Sequence, residues 1–198
     1  MDTPFLIQKA FGKMVDMMDS LSHTMYFHNR RHTENVLITA TEMALKSSMP
    51  HDELIILQLA AIFHDTGHLY EYIGHEEKSK LIAASFLLSE NVPTGVIESV
   101  TSAINATKMP QKPGNELEKI ICDADLFHLA KPNYIDYANA LRCEWEIYLN
   151  KKVSDQEWHQ ENLDFITNHR YHSVYGHLVL EPLKEANINY LKKQAADW

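Results

Sequence analysis

From Leu54 to Phe63 the chain reads Leu-Ile-Ile-Leu-Gln-Leu-Ala-Ala-Ile-Phe, apolar at every position but one, and it runs straight into His64-Asp65. A helix that is apolar on most sides belongs in the interior. This one, predicted over about Asp52 to Thr66, is therefore the element around which the others must be arranged, with Gly67 placed to terminate it. Its last turn carries an imidazole and a carboxylate into the core. A carboxylate at a helix C-terminus meets the unfavourable end of the dipole. Burying it without a cation is costly. Such a break in the local rules marks a functional position. Adjacent helical residues point about 100° apart, so the pair cannot chelate as an i, i+4 pair does. A site built on both needs ligands from other segments.

Two segments can supply them. Upstream lies Tyr26-Phe27-His28-Asn29-Arg30-Arg31-His32, and downstream lies Ile121-Cys122-Asp123-Ala124-Asp125-Leu126. With the central pair they offer His32, His64, Asp65 and Asp125, two imidazoles and two carboxylates. Mixed nitrogen and oxygen ligation suits Mn, Fe, Co, Ni, Zn or, less well, Mg. His28 and His32 are four apart and share a face on a helical turn. Both are ligand candidates; alternatively one binds metal while the other transfers protons. Asp123 precedes Asp125 by two and is expected to point elsewhere. Arg30 and Arg31, beside His28, are candidates to clamp a phosphate. Lys108 and Lys112 are weaker ones.

The rest of the chain is patterned as helices, with no alternation of period two. Thr3-Pro4 reads as a cap and a proline at the first helical position. Phe5 through Leu21 then present a methionine-rich apolar face, which is core packing. Further helices are predicted over about 33–47, 75–89, 93–105, 116–131 and 132–150. Ser154-Asp-Gln-Glu157 forms a capping box for the next, and Gly176 and Pro182 interrupt the tail before a last helix ending near Gln194. The expected fold is all-α, about eight or nine helices in one domain spanning 1–198. Six of the twelve histidines (His51, His128, His159, His169, His172 and His177) lie outside any ligand spacing. They are expected at the surface or in loops, with the last three clustered where they can edge a pocket. Cys122 and Cys143 have no CxxC spacing and are expected to be free and buried.

The formal charge of −9, from 27 acidic and 18 basic residues, argues against a broad footprint for duplex nucleic acid. It does not exclude a small anionic substrate, because bound divalent metals invert the local sign. No apolar run approaches the ~18 residues of a membrane span. Met1-Asp2-Thr3-Pro4 lacks the basic stretch of a signal peptide. A cytoplasmic protein with no membrane partner is the expectation.

Three motifs together, Tyr26-Phe-His28-Asn29-x-x-His32, Phe63-His64-Asp65-x-Gly67-His68 and Asp123-Ala-Asp125-Leu126, resemble those of the HD superfamily of metal-dependent phosphohydrolases. They are also similar to the catalytic domains of cyclic nucleotide phosphodiesterases, although Phe27 is inserted in the first motif. The resemblance covers about residues 24–130. It implies an HD-type helical bundle, with a core at about 20–130 and a C-terminal helical extension at about 131–198. It implies one or two divalent metal ions per chain. His32, His64, Asp65 and Asp125 would hold the first, and Asp65 would bridge to a second. By the same resemblance His28 is the general acid, His68 a hydrogen-bonding group near the second metal, and His75 a ligand or a partner to one. The implied activity is cleavage of a phosphate mono- or diester by metal-activated water, on a small phosphorylated substrate such as a nucleotide.

Three other readings compete. Some HD proteins are di-iron oxygenases that use a histidine on the helix after the His75 helix, where this chain has Val100-Thr-Ser-Ala-Ile-Asn-Ala-Thr107. A zinc protease would read His64-Asp-Thr-Gly-His68 as HExxH, but aspartate is a methylene shorter than glutamate and Gly67 disfavours helix through His68. A non-catalytic nucleotide or metal sensor would keep the pocket, and the full set of ligands and acid argues against it.

Overall fold

The computed structural model describes residues 3–195, and among these every regular element is helical. Nine α-helices follow one another: α1 (Thr3–Met18), α2 (Arg30–Lys46), α3 (His51–Phe63), α4 (His75–Ser89), α5 (Thr94–Ala106), α6 (Glu116–Asp125), α7 (Tyr134–Tyr148), α8 (Asp155–Asn168) and α9 (Glu181–Ala195). Tight 3-10 turns at Thr66–Leu69 and Phe127–Ala130 follow α3 and α6, and a wider π-type turn at Gly176–Leu180 leads into α9. No described helix is long and apolar enough to cross a membrane. The Thr3 side chain expected to cap α1 lies outside the described residues, as do Met1 and Asp2.

Helix α3 is central. Leu57 and Leu59 through Phe63 are fully buried, and α1, α2, α4, α5 and α6 all pack on it. It stops at Phe63, three residues earlier than expected. Thr66 Oγ1 donates to the Phe63 carbonyl (2.7 Å) and His68 N to that of Asp65 (3.1 Å), which tightens the chain into the following turn. Gly67 does not end the helix through a left-handed conformation; among the described glycines that conformation belongs to Gly74. Its role is close approach. Its N–H donates to Ser79 Oγ (2.8 Å), and a Cβ there would collide with the His75 carbonyl and lie 2.8 Å from Ser79 N. A glycine lets the turn after α3 rest directly on the start of α4.

Caps explain where other helices begin. Asn29 accepts from His32 N (3.2 Å), so α2 starts three residues before the expected Thr33. Asn115 caps α6 through Glu118 N (2.9 Å). Ser154 and Glu157 form the expected capping box of α8. Helix α6 ends at Asp125 rather than near Lys131, because the chain tightens at Phe127–Ala130. Pro182 is accommodated in the first turn of α9 instead of breaking it. Two expectations about burial need correction. Cys143 is exposed, while Cys122 is buried with its thiol against the Ala106 carbonyl (3.1 Å). His128, expected at the surface, is only 5% exposed.

Candidate metal centre

The turn after α3, the start of α2 and the end of α6 converge at one point. His32 Nε2 lies 3.2 Å from Asp125 Oδ1 and 3.4 Å from Asp65 Oδ2. His64 Nε2 lies 3.3 Å from Asp65 Oδ2 and 3.5 Å from Asp125 Oδ1. Ligand atoms placed tetrahedrally at about 2.0–2.1 Å from a cation sit roughly 3.3–3.4 Å from one another. These four atoms are therefore spaced as the edges of such a shell. Their supporting bonds fit as well. The Nδ1 of His64 donates to the Ala61 carbonyl (2.9 Å), which leaves Nε2 with a lone pair facing the cluster. His64 Nε2 and Asp65 Oδ2 are buried and have no hydrogen-bond partner in the protein. Unpaired polar atoms of this kind are costly unless a ligand satisfies them.

Asp65 faces two ways. Its Oδ2 belongs to the cluster above, and its Oδ1 lies 3.2 Å from His75 Nε2, on the side where His28 and His68 gather. His75 Nδ1 is directed at the Tyr72 carbonyl (3.3 Å), and the His68 ring stacks on that of His75 at 3.7 Å. Two groups of side chains can hold a cation, His32–His64–Asp125 and His28–Asp65–His68, with Asp65 between them.

In the protein alone the negative charge is balanced by protons. Burial works against a charged His64, but Asp65 and Asp125 outweigh it and hold the imidazole well above its ordinary pKa. Burial likewise opposes ionised Asp65 and Asp125, and their histidine neighbours reverse that and hold both carboxyls below the usual range. His68 goes the other way: burial and the neighbouring His28 push it down to about 2, so it is neutral.

His28 does not share a helical face with His32 as expected. It precedes α2, with Asn29 as the cap between, and the two rings are 6.0 Å apart. What fixes it is Glu144 on α7, a residue that carries no motif. The Glu144 carboxylate accepts from His28 Nδ1 (2.6 Å), from the backbone N–H of His28 (2.9 Å) and Phe27 (2.6 Å), and from the Tyr72 hydroxyl (3.0 Å). Burial alone would raise its pKa; the bond from His28 and the backbone N–H groups reverse this, so Glu144 is ionised. Burial and Glu144 push the Tyr72 phenol up, which keeps it a donor. The Tyr72 ring in turn stacks on Tyr148 at 4.9 Å.

Other candidates fall elsewhere. Arg30 pairs with Glu34 (2.8 Å) and Asp19 (3.0 Å), and Arg31 is exposed. Neither lines the cavity beside the cluster, so the expected phosphate clamp is not formed there: α2 points both outward while His32 points in. The proline-rich loop contributes Thr107 and Met109 to the cavity rather than its lysines. Asp123 points away, as expected, and accepts from His172 N (2.7 Å), Ser173 N (2.8 Å) and Ser173 Oγ (2.6 Å). His169, His172 and His177 do not edge the cavity; His128 does, in contact with Phe27.

The HD domain family model matches residues 30–130. No curated protein matches the sequence. Three solved structures share the fold. A protein of Listeria innocua superposes with a TM-score of 0.67 at 17% identity, over 98% of this chain and 97% of its own. One of Lactobacillus plantarum does so with 0.67 at 16% identity, over 100% and 99%. A predicted HD superfamily hydrolase from an uncultured Thermotogales bacterium gives 0.65 at 15%, over 96% and 92%.

Proposed function

The chain belongs to the HD domain family, and from that premise we propose that it is a metal-dependent phosphohydrolase cleaving a phosphate ester of a small molecule. The observation that carries the reading is the convergence of His32, His64, Asp65 and Asp125, their imidazole nitrogens 3.2–3.5 Å from the carboxylate oxygens and two of the four atoms unpartnered. These four residues would hold the first cation. Asp65, with His68 and His75 beside it, would share a second.

When bound, a divalent cation supplies Lewis acidity toward a phosphoryl oxygen and lowers the pKa of water from 15.7 to about 7. The chain's own groups do the rest. His64 would give up its proton to serve as a ligand. Glu144 holds His28 Nδ1, leaving Nε2 as the nitrogen that delivers a proton to the leaving oxygen. Tyr72 holds the second oxygen of Glu144 and so fixes the carboxylate that fixes the acid. The net charge of −9 favours a small substrate over duplex nucleic acid.

A second reading, an HD-type di-iron oxygenase, draws on the histidines around Asp65 Oδ1. Helix α5 adds none, so the second position is poor in protein ligands, which suits hydrolysis. The test is phosphate release from a panel of phosphate esters, with and without oxygen, after loading with Mn, Co, Ni, Mg, Zn or Fe. Bound metal is measured separately. Oxygen-independent release, lost together with metal in Asp65→Ala, is expected. Metal bound without release from any ester would refute the phosphohydrolase and favour the sensor; oxygen-dependent consumption of an ester without phosphate release would favour the oxygenase.

A further inference from the structure

Asp65 and Asp125 of the cluster, with His28 and His75, form the floor of a cavity of ≈ 480 Å³, within the ~300–1,000 Å³ of small-molecule sites. A phosphate group alone would leave most of it empty. The walls come from the part of the chain without motifs. On α7, Tyr134, Tyr137, Leu141 and Trp145 fall at helical spacing on one face, and on α8 Trp158 and Phe165 do the same. Trp145 and Trp158 meet edge to face at 5.4 Å.

Tyr134, Asn162 and Lys151 on these walls are engaged with protein partners. Asn162 accepts from the Tyr134 hydroxyl (2.8 Å) and donates to the Trp158 carbonyl (2.7 Å). Lys151 is the one lysine or arginine lining the cavity, and it is paired with Glu161 at 2.7 Å while lying over the Trp145 ring. Glu161 takes up the charge of Lys151 and Glu76 also lines the cavity, so anionic groups beyond the floor meet no free lysine or arginine. Aromatic surface kept open beside a charged floor suits a ligand that is anionic at one end and apolar along the rest.

We infer that this cavity receives the organic part of the substrate, and that the substrate is a single phosphate esterified to an uncharged aromatic body, not an oligophosphate. The inference deepens the phosphohydrolase reading and rests on it. Its first test needs no turnover. 1-Naphthylmethylphosphonate, whose C–P bond is not hydrolysed, is titrated into the metal-loaded protein and read by its tryptophan fluorescence, to which Trp145 and Trp158 on the cavity wall contribute. Saturable quenching is expected, with methylphosphonate competing at least tenfold more weakly. Ala138→Phe, which fills the wall beside Tyr137, is expected to weaken the naphthyl probe at least tenfold. Phe165→Ala, at the half-exposed rim, lowers its affinity without disturbing the core. In turnover, the kcat/KM ratio of naphthyl phosphate to methyl phosphate falls in both variants, and ATP competes at least tenfold more weakly than AMP. Equal affinity for naphthyl and methyl phosphonates, with methyl phosphate still hydrolysed, would overturn the inference and leave the phosphohydrolase standing. So would ATP binding as tightly as AMP. Tight naphthyl binding with no ester hydrolysed would support an aromatic pocket and defeat the phosphohydrolase.

Discussion

Replacing Glu144 by glutamine separates a proton-delivery role from a structural one. The side chain is fully buried, and its two oxygens receive four donors between 2.6 and 3.0 Å. A glutamine keeps one oxygen for the backbone N–H groups of Phe27 and His28. Its NH2 then faces His28 Nδ1 and the Tyr72 hydroxyl. The hydroxyl can rotate and accept, but a protonated Nδ1 cannot, so the imidazole must carry its proton on Nε2 with Nδ1 as acceptor. A neutral ring held that way has no readily released proton. General acid catalysis is worth roughly 10²–10⁴-fold, and this is the expected fall in kcat for an alkyl phosphate. An ester whose leaving group departs unaided, such as p-nitrophenyl phosphate, should fall less than about tenfold. The bonds that remain are no longer charge-assisted, so stability should drop by about 2 kcal/mol. The assay is kcat across esters of graded leaving-group pKa, with bound metal quantified in each preparation. Glu144→Gln should steepen the dependence on leaving group at unchanged metal content. A uniform loss across the series, or no loss, would refute the role assigned to the His28–Glu144 pair.

Two further expectations concern stability. Burial, with the neighbouring His32, holds His128 down to about 3, below the ~6.5 of an unfolded chain. The unfolded chain therefore takes up a proton that the folded one refuses. The contribution is complete above about pH 6.5 and shrinks as pH falls toward 3, by about 2 kcal/mol between pH 7 and 5. In urea unfolding of chelator-treated protein, His128→Phe should lose that much of the wild type's decline, and an unchanged decline would refute the assignment. Gly67→Ala should destabilise by about 3 kcal/mol, the upper range for overpacking, because the obstacle is the backbone of α4. Gly12→Ala, with open space around it, should be neutral or gain up to about 1 kcal/mol; equal midpoints for the two variants would contradict the packing argument.

The all-helical architecture was legible because apolar spacing of 3–4 residues runs through nearly the whole chain, and because Ser154-x-x-Glu157 announces its own cap. The grouping of His32, His64, Asp65 and Asp125 was legible for a different reason. A carboxylate placed at the end of an apolar helix is unfavourable unless something compensates it, and that anomaly shows in one dimension. Helix ends were less readable: the 3-10 turns after α3 and α6 arise from tertiary packing, as the contact of Gly67 with α4 illustrates. Arg30 misled because proximity in sequence to His28 says nothing about direction, and its partners Asp19 and Glu34 lie on the outer surface. Glu144 was invisible. A single glutamate among Arg142, Trp145 and Glu146 has the composition of a solvated helix face, and only the fold brings it, 116 positions along the chain, against His28.

That separation describes how the two halves of the chain divide the work. The matched region, residues 30–130, holds the four converging ligands, and its neighbour His28 stands just before it. The side chain that orients His28 and the aromatic walls that rise above the floor come from α7 and α8. Chemistry common to a family needs ligands at fixed spacing, so it leaves motifs. An apolar wall needs only bulk at helical intervals, and many residues satisfy that. Helix α7 touches both regions: Glu144 reaches His28 from one position, and Trp145, the next residue, faces the cavity. A displacement of α7 by a bound aromatic group would therefore be felt at His28, which ties the fit of the organic part to delivery of the proton. If that tie holds, Ala138→Phe should lower kcat more for phenyl phosphate than for p-nitrophenyl phosphate, two aryl esters of similar size that differ in their need for a proton, and equal falls would show that α7 serves the pocket and His28 independently.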